Sequence, residues 1–183
     1  MTAFELQILD LLQKLHTPVM DRIMIAFSNL GDMGIIWIAL CLILLFFPKT
    51  RSAGKVVLLA MLLEVVGVNL FIKPLVARIR PYEINSTVDL ITGEMKDYSF
   101  PSGHTAMAFT AVTGLCLMKM KPLWQICLVI ALGIAFSRLY LYVHFPTDVA
   151  AGVILGIIFG WLGYRLERRI EQGRQTHSNH DNT

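Results

Sequence analysis

His144 and Asp148 stand four residues apart, with Pro146 between them. A carboxylate at that reach can accept the imidazole Nδ1–H, fix the tautomer and leave Nε2 as a nucleophile. The same logic operates in hydrolytic triads. Taken alone, a His-x3-Asp pair is more often a capping or structural contact. A second histidine, His104, closes the run Phe100-Pro101-Ser102-Gly103-His104. Proline suits a helix start. Ser102 offers a hydroxyl, Gly103 lets an anion approach the backbone N–H groups, and a helix N-terminus adds a favourable dipole. Pro-Ser-Gly is also an ordinary turn. Four cations complete the inventory: Lys73, Arg78, Arg80 and Arg138. Arginine can grip a phosphate bidentately. For Arg78 alone the simpler reading is snorkelling to lipid headgroups. Two histidines and an aspartate could also hold zinc, but cations so near would oppose a dication. Together the residues supply a nucleophile with an orienter, a second histidine as acid, cations and an amide cradle. That is a full set for metal-free phosphoryl transfer without a cofactor.

The elements that must position these groups are membrane helices. The chain of 183 residues is 55% hydrophobic and only 16% charged, with net charge +3 and mean hydropathy +0.61. A soluble domain usually carries about a quarter charged residues. This composition excludes disorder and a disulfide scaffold, and gives no nucleic-acid-binding surface. Cys41, Cys116 and Cys127 lie in apolar runs and read as core residues. No signal-peptide pattern is visible in the first 30 residues. Apolar runs at 33–48, 56–72, 105–118, 122–137 and 149–164 predict five spans, each borrowing polar residues at its ends to cross ~30 Å of hydrocarbon.

The expected fold is therefore all-α, a polytopic transmembrane bundle. Two N-terminal amphipathic helices, broken at Pro18, are expected on the outer interface. The folded domain is expected over 1–172, with a polar, disordered tail at 173–183. Lys49, Arg51, Lys55, Lys119, Lys121, Arg165, Arg168, Arg169 and Arg174 fall on one side, which should be the cytoplasm. The candidate site then faces the extracytoplasmic side of the cell membrane. Asp148, Gly152, Gly156 and Gly160 repeat every four residues, a stripe suited to close helix packing within the chain or at a dimer seam. The oligomeric state is left open. Glu64 lies mid-span, about 14 Å from the site by helix rise. It is expected to be protonated and bonded to another helix, or else to serve a substrate or proton path. Thr92-Gly93-Glu94 is expected to turn a short hairpin.

Three blocks carry a family resemblance: Lys73-x6-Arg80-Pro81, Pro101-Ser102-Gly103-His104 and Ser137-Arg138-x5-His144-x3-Asp148. All are complete and in order. The chain resembles the type 2 phosphatidic acid phosphatase (PAP2) superfamily, which includes membrane lipid phosphatases. The resemblance implies that Lys73, Arg80 and Arg138 bind phosphate, with Ser102 and Gly103 adding hydrogen bonds. It implies His144 as nucleophile, Asp148 as its partner and His104 as the acid for the leaving group. Of the two histidines, only His144 has a carboxylate four residues away to hold its tautomer. Many members have six spans, against five here.

A site at the membrane surface suits a lipid carrying a terminal phosphate, its apolar part staying in the bilayer. The small size resembles bacterial undecaprenyl pyrophosphate phosphatases of this type. Phosphatidylglycerophosphate or phosphatidic acid is the alternative substrate. A non-hydrolytic phosphotransferase would share the first half-reaction. A phospholipid-binding or transport protein would not need the paired histidines.

Overall fold

The computed structural model describes residues 2–180, with side chains to Gln175. Helices dominate, and no strand occurs among the described residues. α1 (Thr2–Gln13) and α2 (Pro18–Gly31) form the N-terminal unit. Thr17 caps α2 through its side chain, and Pro18 sits at the first turn, where its missing N–H costs nothing. α3 (Ile35–Phe46) follows after a short 3-10 turn, Asp32–Gly34. Met33 (φ 52°) and Gly34 (φ 67°) are left-handed there and bend the chain between α2 and α3.

α3 alone is about 18 Å long by helix rise, too short to span. The helical run Pro18–Phe46 reaches spanning length with α2 included, and its most apolar 18-residue window has mean hydropathy 2.1. α4 (Arg51–Glu64) continues through eight π-helical residues, Val65–Ile72, into α5 (Lys73–Val76). α6 (Pro81–Ile84) is one turn. Residues 85–102 form a long loop with no hairpin, so the turn expected at Thr92-Gly93-Glu94 is not paired as strands.

α7 (Gly103–Leu117), α8 (Leu123–Tyr140) and α9 (Pro146–His180) complete the bundle. α9 runs past the domain boundary expected at 172, and residues 181–183 lie outside the described residues. Four helical segments are long and apolar enough to cross a membrane, and α7 is a shorter apolar helix.

One core cluster gathers Trp37 and Cys41 of α3, Val57 and Met61 of α4, Leu115 of α7 and Ile134 of α8. Leu42, Leu62, Leu70, Val129 and Ile154 point outward from the bundle, as lipid-facing side chains do. Cys41 and Cys127 are buried, but Cys116 is exposed and is not a core residue.

The glycine stripe faces α7. A Cβ at Gly152 would lie 2.8 Å from the Ser102 carbonyl oxygen, and one at Gly156 2.6 Å from Phe109 Cβ. Without those glycines α7 and α9 could not approach so closely. The stripe is therefore an intramolecular seam.

Candidate active site

The three motif blocks converge at one end of the bundle. Lys73 begins α5, Arg80 precedes α6, and Arg138 sits in the last turn of α8. All three are buried, Arg138 completely. Asp97, from the long loop, joins two of them: its carboxylate accepts from Lys73 Nζ and from Arg80 Nη2 (2.6 Å). Burial alone would raise its proton affinity. The hydrogen bond from Lys73 and the charges of Lys73 and Arg80 outweigh that and hold its pKa at about 2. Arg80 is further fixed by the carbonyls of Asp97 and Val143, at 2.9 and 2.7 Å. Arg138 donates to Ser28 Oγ and, weakly, to Met95 Sδ at 3.6 Å, while its buried Nε has no partner. A guanidinium with spare donors in a buried site is suited to an anion's oxygens.

His144 lies on the turn between α8 and α9, where its backbone N–H donates to the Arg138 carbonyl at 3.3 Å. Its Nε2 is 3.5 Å from Arg80 Nη1, so that nitrogen faces the cations. Its Nδ1 is 3.6 Å from Asp148 Oδ2, close enough for pairing but long for a hydrogen bond. Ser99 Oγ stands between them, 2.5 Å from Asp148 Oδ2 and 3.5 Å from His144 Nδ1. Complete burial pushes the His144 pKa down to about 3; Asp148 opposes this, while Arg80 and Arg138 add to it. The imidazole is therefore neutral at physiological pH, the state a nucleophile requires.

His104 opens α7. Gly31 leaves room for it, since a Cβ there would meet His104 Cδ2 at 2.7 Å. His104 also has a carboxylate partner, though not at short spacing: its Nε2 lies 2.8 Å from Asp32 Oδ1. The partner comes from the kink after α2, 72 residues away in sequence, where no spacing rule could find it. Asp32 can orient the second imidazole as Asp148 does the first.

Gly103 faces Lys73, whose Nζ is 3.6 Å from the position of an added Cβ. Ser102 is placed differently from the cradle expected. Its hydroxyl pairs with Thr105 Oγ1 at 3.0 Å, and its amide donates to the Asp148 carbonyl at 3.1 Å. In this conformation it ties α7 to α9.

Arg78 does not snorkel. It donates to Asp148 Oδ1 (2.5 Å), Thr147 Oγ1 (2.7 Å) and Glu5 Oε2 (2.7 Å), with its guanidinium carbon 3.8 Å over the Phe145 ring. Glu64 is fully buried and neither carboxylate oxygen has a partner, so the interhelical bond expected for it is absent. It lines a cavity of about 230 Å³ with Asn69, Lys73, Asp97, Gly103 and His104. A second cavity, about 490 Å³, is walled by the loop through Glu94, Met95, Lys96 and Tyr98, and by Tyr82.

Fold and site together define a polytopic helical membrane protein with two carboxylate-paired histidines beside a buried cation cluster. The PAP2 superfamily profile matches residues 53–171. The chain belongs to the PAP2 superfamily and is a phosphatase of that type. It is 28% identical over 175 residues to an undecaprenyl-diphosphatase of Sulfolobus acidocaldarius, covering 93% of this chain and 84% of the relative. It is 29% identical over 183 residues to a lipid A 4'-phosphatase of Bacteroides thetaiotaomicron, covering 93% and 80%.

Among solved structures, Aquifex aeolicus LpxE superposes with TM-score 0.77 at 33% identity, over 87% of this chain and 94% of that one. The transmembrane PAP2-type phosphatidylglycerolphosphate phosphatase of Bacillus subtilis superposes with TM-score 0.74 at 26% identity, over 92% and 86%.

Proposed function

We propose that the chain hydrolyses the terminal phosphate of a lipid phosphate or pyrophosphate at the extracytoplasmic membrane surface, without metal, through a phosphohistidine. The observation that carries this reading is the surroundings of His144 Nε2. A neutral imidazole faces Arg80 at 3.5 Å, beside Lys73 and Arg138, and Asp97 is the shared carboxylate of Lys73 and Arg80. A phosphate that displaces Asp97 meets both cations and comes within reach of Nε2. In the first step Nε2–P forms as the P–O bond to the lipid breaks, and His104 gives its proton to the leaving oxygen. In the second, His104 takes a proton from water, the water oxygen attacks phosphorus and N–P breaks. Lys73, Arg80 and Arg138 hold the phosphoryl oxygens throughout, with the Gly103 backbone beside Lys73.

Undecaprenyl pyrophosphate is the preferred substrate. Relatives bearing the name undecaprenyl-diphosphatase in Sulfolobus acidocaldarius and Bacillus subtilis support it. The second reading is a phosphatidylglycerophosphate phosphatase, supported by the fold shared with the Bacillus subtilis enzyme of that name. A panel of purified lipid phosphates and pyrophosphates tests this, and the preferred substrate should release phosphate at least about tenfold faster than the rest. Activity should survive EDTA, and vanadate should inhibit. Loss in EDTA that zinc or magnesium restores would make the histidines metal ligands and end the proposed mechanism. Phosphate appearing only with an added acceptor, on that acceptor, would make the chain a phosphotransferase.

The sidedness rests on the basic loops and tail. In a background lacking Cys41, Cys116 and Cys127, an impermeant thiol reagent on intact cells should label Glu94→Cys and leave Lys119→Cys unlabelled. The reverse pattern would invert the topology.

A further inference from the structure

Glu5 of α1 is turned inward. Glu5 and Leu9 are buried, while Phe4, Leu11 and Leu15 are exposed. α1 thus carries apolar residues on both sides, Leu9 inward and Phe4 and Leu11 outward, and buries a single acid, Glu5. What the acids meet is the catalytic turn. Asp10 accepts from Tyr142 Oη at 2.7 Å, and Gln13 donates to the Tyr140 carbonyl at 3.1 Å. Glu5 Oε1 accepts from the Thr147 amide (3.1 Å) and hydroxyl (2.6 Å), and Oε2 accepts from Arg78. Burial would raise the pKa of Glu5, but the Thr147 hydrogen bonds and Arg78 lower it below the usual carboxylate value.

We propose that Arg78, held by Glu5, is a positioning residue for the His144–Asp148 pair, and that α1 thereby forms an outer layer of the active site. This rests on the assignment of His144 as nucleophile. Both terminal nitrogens of Arg78 are spent on carboxylates. One binds Asp148 Oδ1 and the other Glu5, and Phe145 fixes the guanidinium plane. With Oδ1 held, Oδ2 is left to Ser99 and the Phe145 amide and turns towards His144 Nδ1. When Nε2 bonds to phosphorus, the proton stays on Nδ1 and the ring becomes cationic, so the placement of Oδ2 governs that state. Arg78 opposes the new positive charge and Glu5 offsets Arg78. The series Glu5, Arg78, Asp148, His144 therefore alternates in sign.

Arg80 and Arg138 also face His144, and both are unchanged in the variants that test this. The assay is kcat and KM on the preferred lipid substrate, with vanadate inhibition and a pH profile, for Arg78→Ala, Arg78→Lys and Glu5→Gln. A wild type without phosphatase activity would fail the functional reading itself. The His144 titration, followed by ¹⁵N-histidine NMR in nanodiscs, still reports the coupling in that case.

For Arg78→Ala, kcat should fall about 10²-fold, as for a misplaced catalytic group, with KM and vanadate inhibition changed less than threefold. Arg78→Lys should recover part of kcat, because it keeps the charge but not the fork. Without the Arg78 charge His144 protonates at higher pH, so the acid limb moves up. Glu5→Gln unmasks Arg78 and moves it down. A tenfold rise in KM and weaker vanadate inhibition with kcat kept would make Arg78 a phosphate ligand and overturn the proposal. Equal losses in all three variants, with no movement of the acid limb or of the His144 titration, would reduce the network to scaffolding and also overturn it.

Discussion

The His144→Ala protein should carry no phosphoryl group with any substrate, and its turnover should fall by about 10⁴-fold or more, as when a covalent nucleophile is removed. In the proposed mechanism no other group takes the place of Nε2. His104 is engaged by Asp32 at 2.8 Å, and Lys73 and Arg80 are bound to Asp97. His104→Ala should behave differently. It removes the proposed proton donor and leaves the proposed attacking atom, so a substrate with a good leaving group needs it less. Given a nitrophenyl phosphate that the site admits, this variant should still become phosphorylated and should release phosphate slowly. Asp32→Asn should fall between wild type and His104→Ala, because it keeps the imidazole but loosens its orientation. The measurement is acid-labile, base-stable radiolabel on rapidly quenched protein. Label on His144→Ala and none on His104→Ala would reverse the roles assigned to the two histidines.

The residues that were legible in the sequence share one property: their spacing is short and their types are unusual in apolar surroundings. His144 and Asp148 are one helical turn apart, and Pro101 to His104 form one helix start. The basic residues flanking the apolar runs mark the helix ends. The glycine stripe was readable for the same reason, since every fourth residue of a helix falls on nearly one face. Asp97, Asp32, Ser99 and Glu5 were not legible as site residues. Each reaches its partners across 17 to 142 residues of chain, from a loop, a kink or a helix remote in sequence. Glu5 was hidden for a further reason. Acids between apolar residues read as the solvated face of an interfacial helix, yet Glu5 is buried against Arg78 and Thr147. Arg78 was misread on similar grounds: a lone arginine at a helix mouth has a lipid headgroup as its simplest partner until two carboxylates are seen beside it. The break at Met33 and Gly34 was also invisible, because Gly-Asp-Met-Gly fits a helix end as well as a bend.

Gly156→Val should lose both stability and activity, and the reason is the seam that holds the site together. A Cβ at Gly156 would lie 2.6 Å from Phe109 Cβ, 2.7 Å from the Ala106 carbonyl oxygen and 3.0 Å from the Thr110 amide. Two of those atoms are helix backbone and have no rotamer through which to yield. Overpacking a well-packed core costs roughly 1–3 kcal/mol and occasionally more, and a rigid backbone neighbour puts this case at the upper end. For a chain of this size that corresponds to a fall in Tm of about 5 °C or more. The relief available is for α9 to move away from α7. α7 carries Gly103 and His104, and α9 carries Asp148. Separation also strains the Ser102 amide bond to the Asp148 carbonyl. A displacement of ~1 Å between catalytic groups costs about 10²-fold in rate, so kcat should fall at least that far even in protein that remains folded. Gly173→Val is the control, since nothing lies within 4 Å of an added Cβ there, and it should leave Tm and kcat at wild-type values. Thermal unfolding in detergent and phosphate release, measured on the same preparations, check both expectations. A Gly156→Val protein that melts like wild type but changes its oligomeric mass would place the stripe between chains, against the contacts of Gly152, Gly156 and Gly160 with α7.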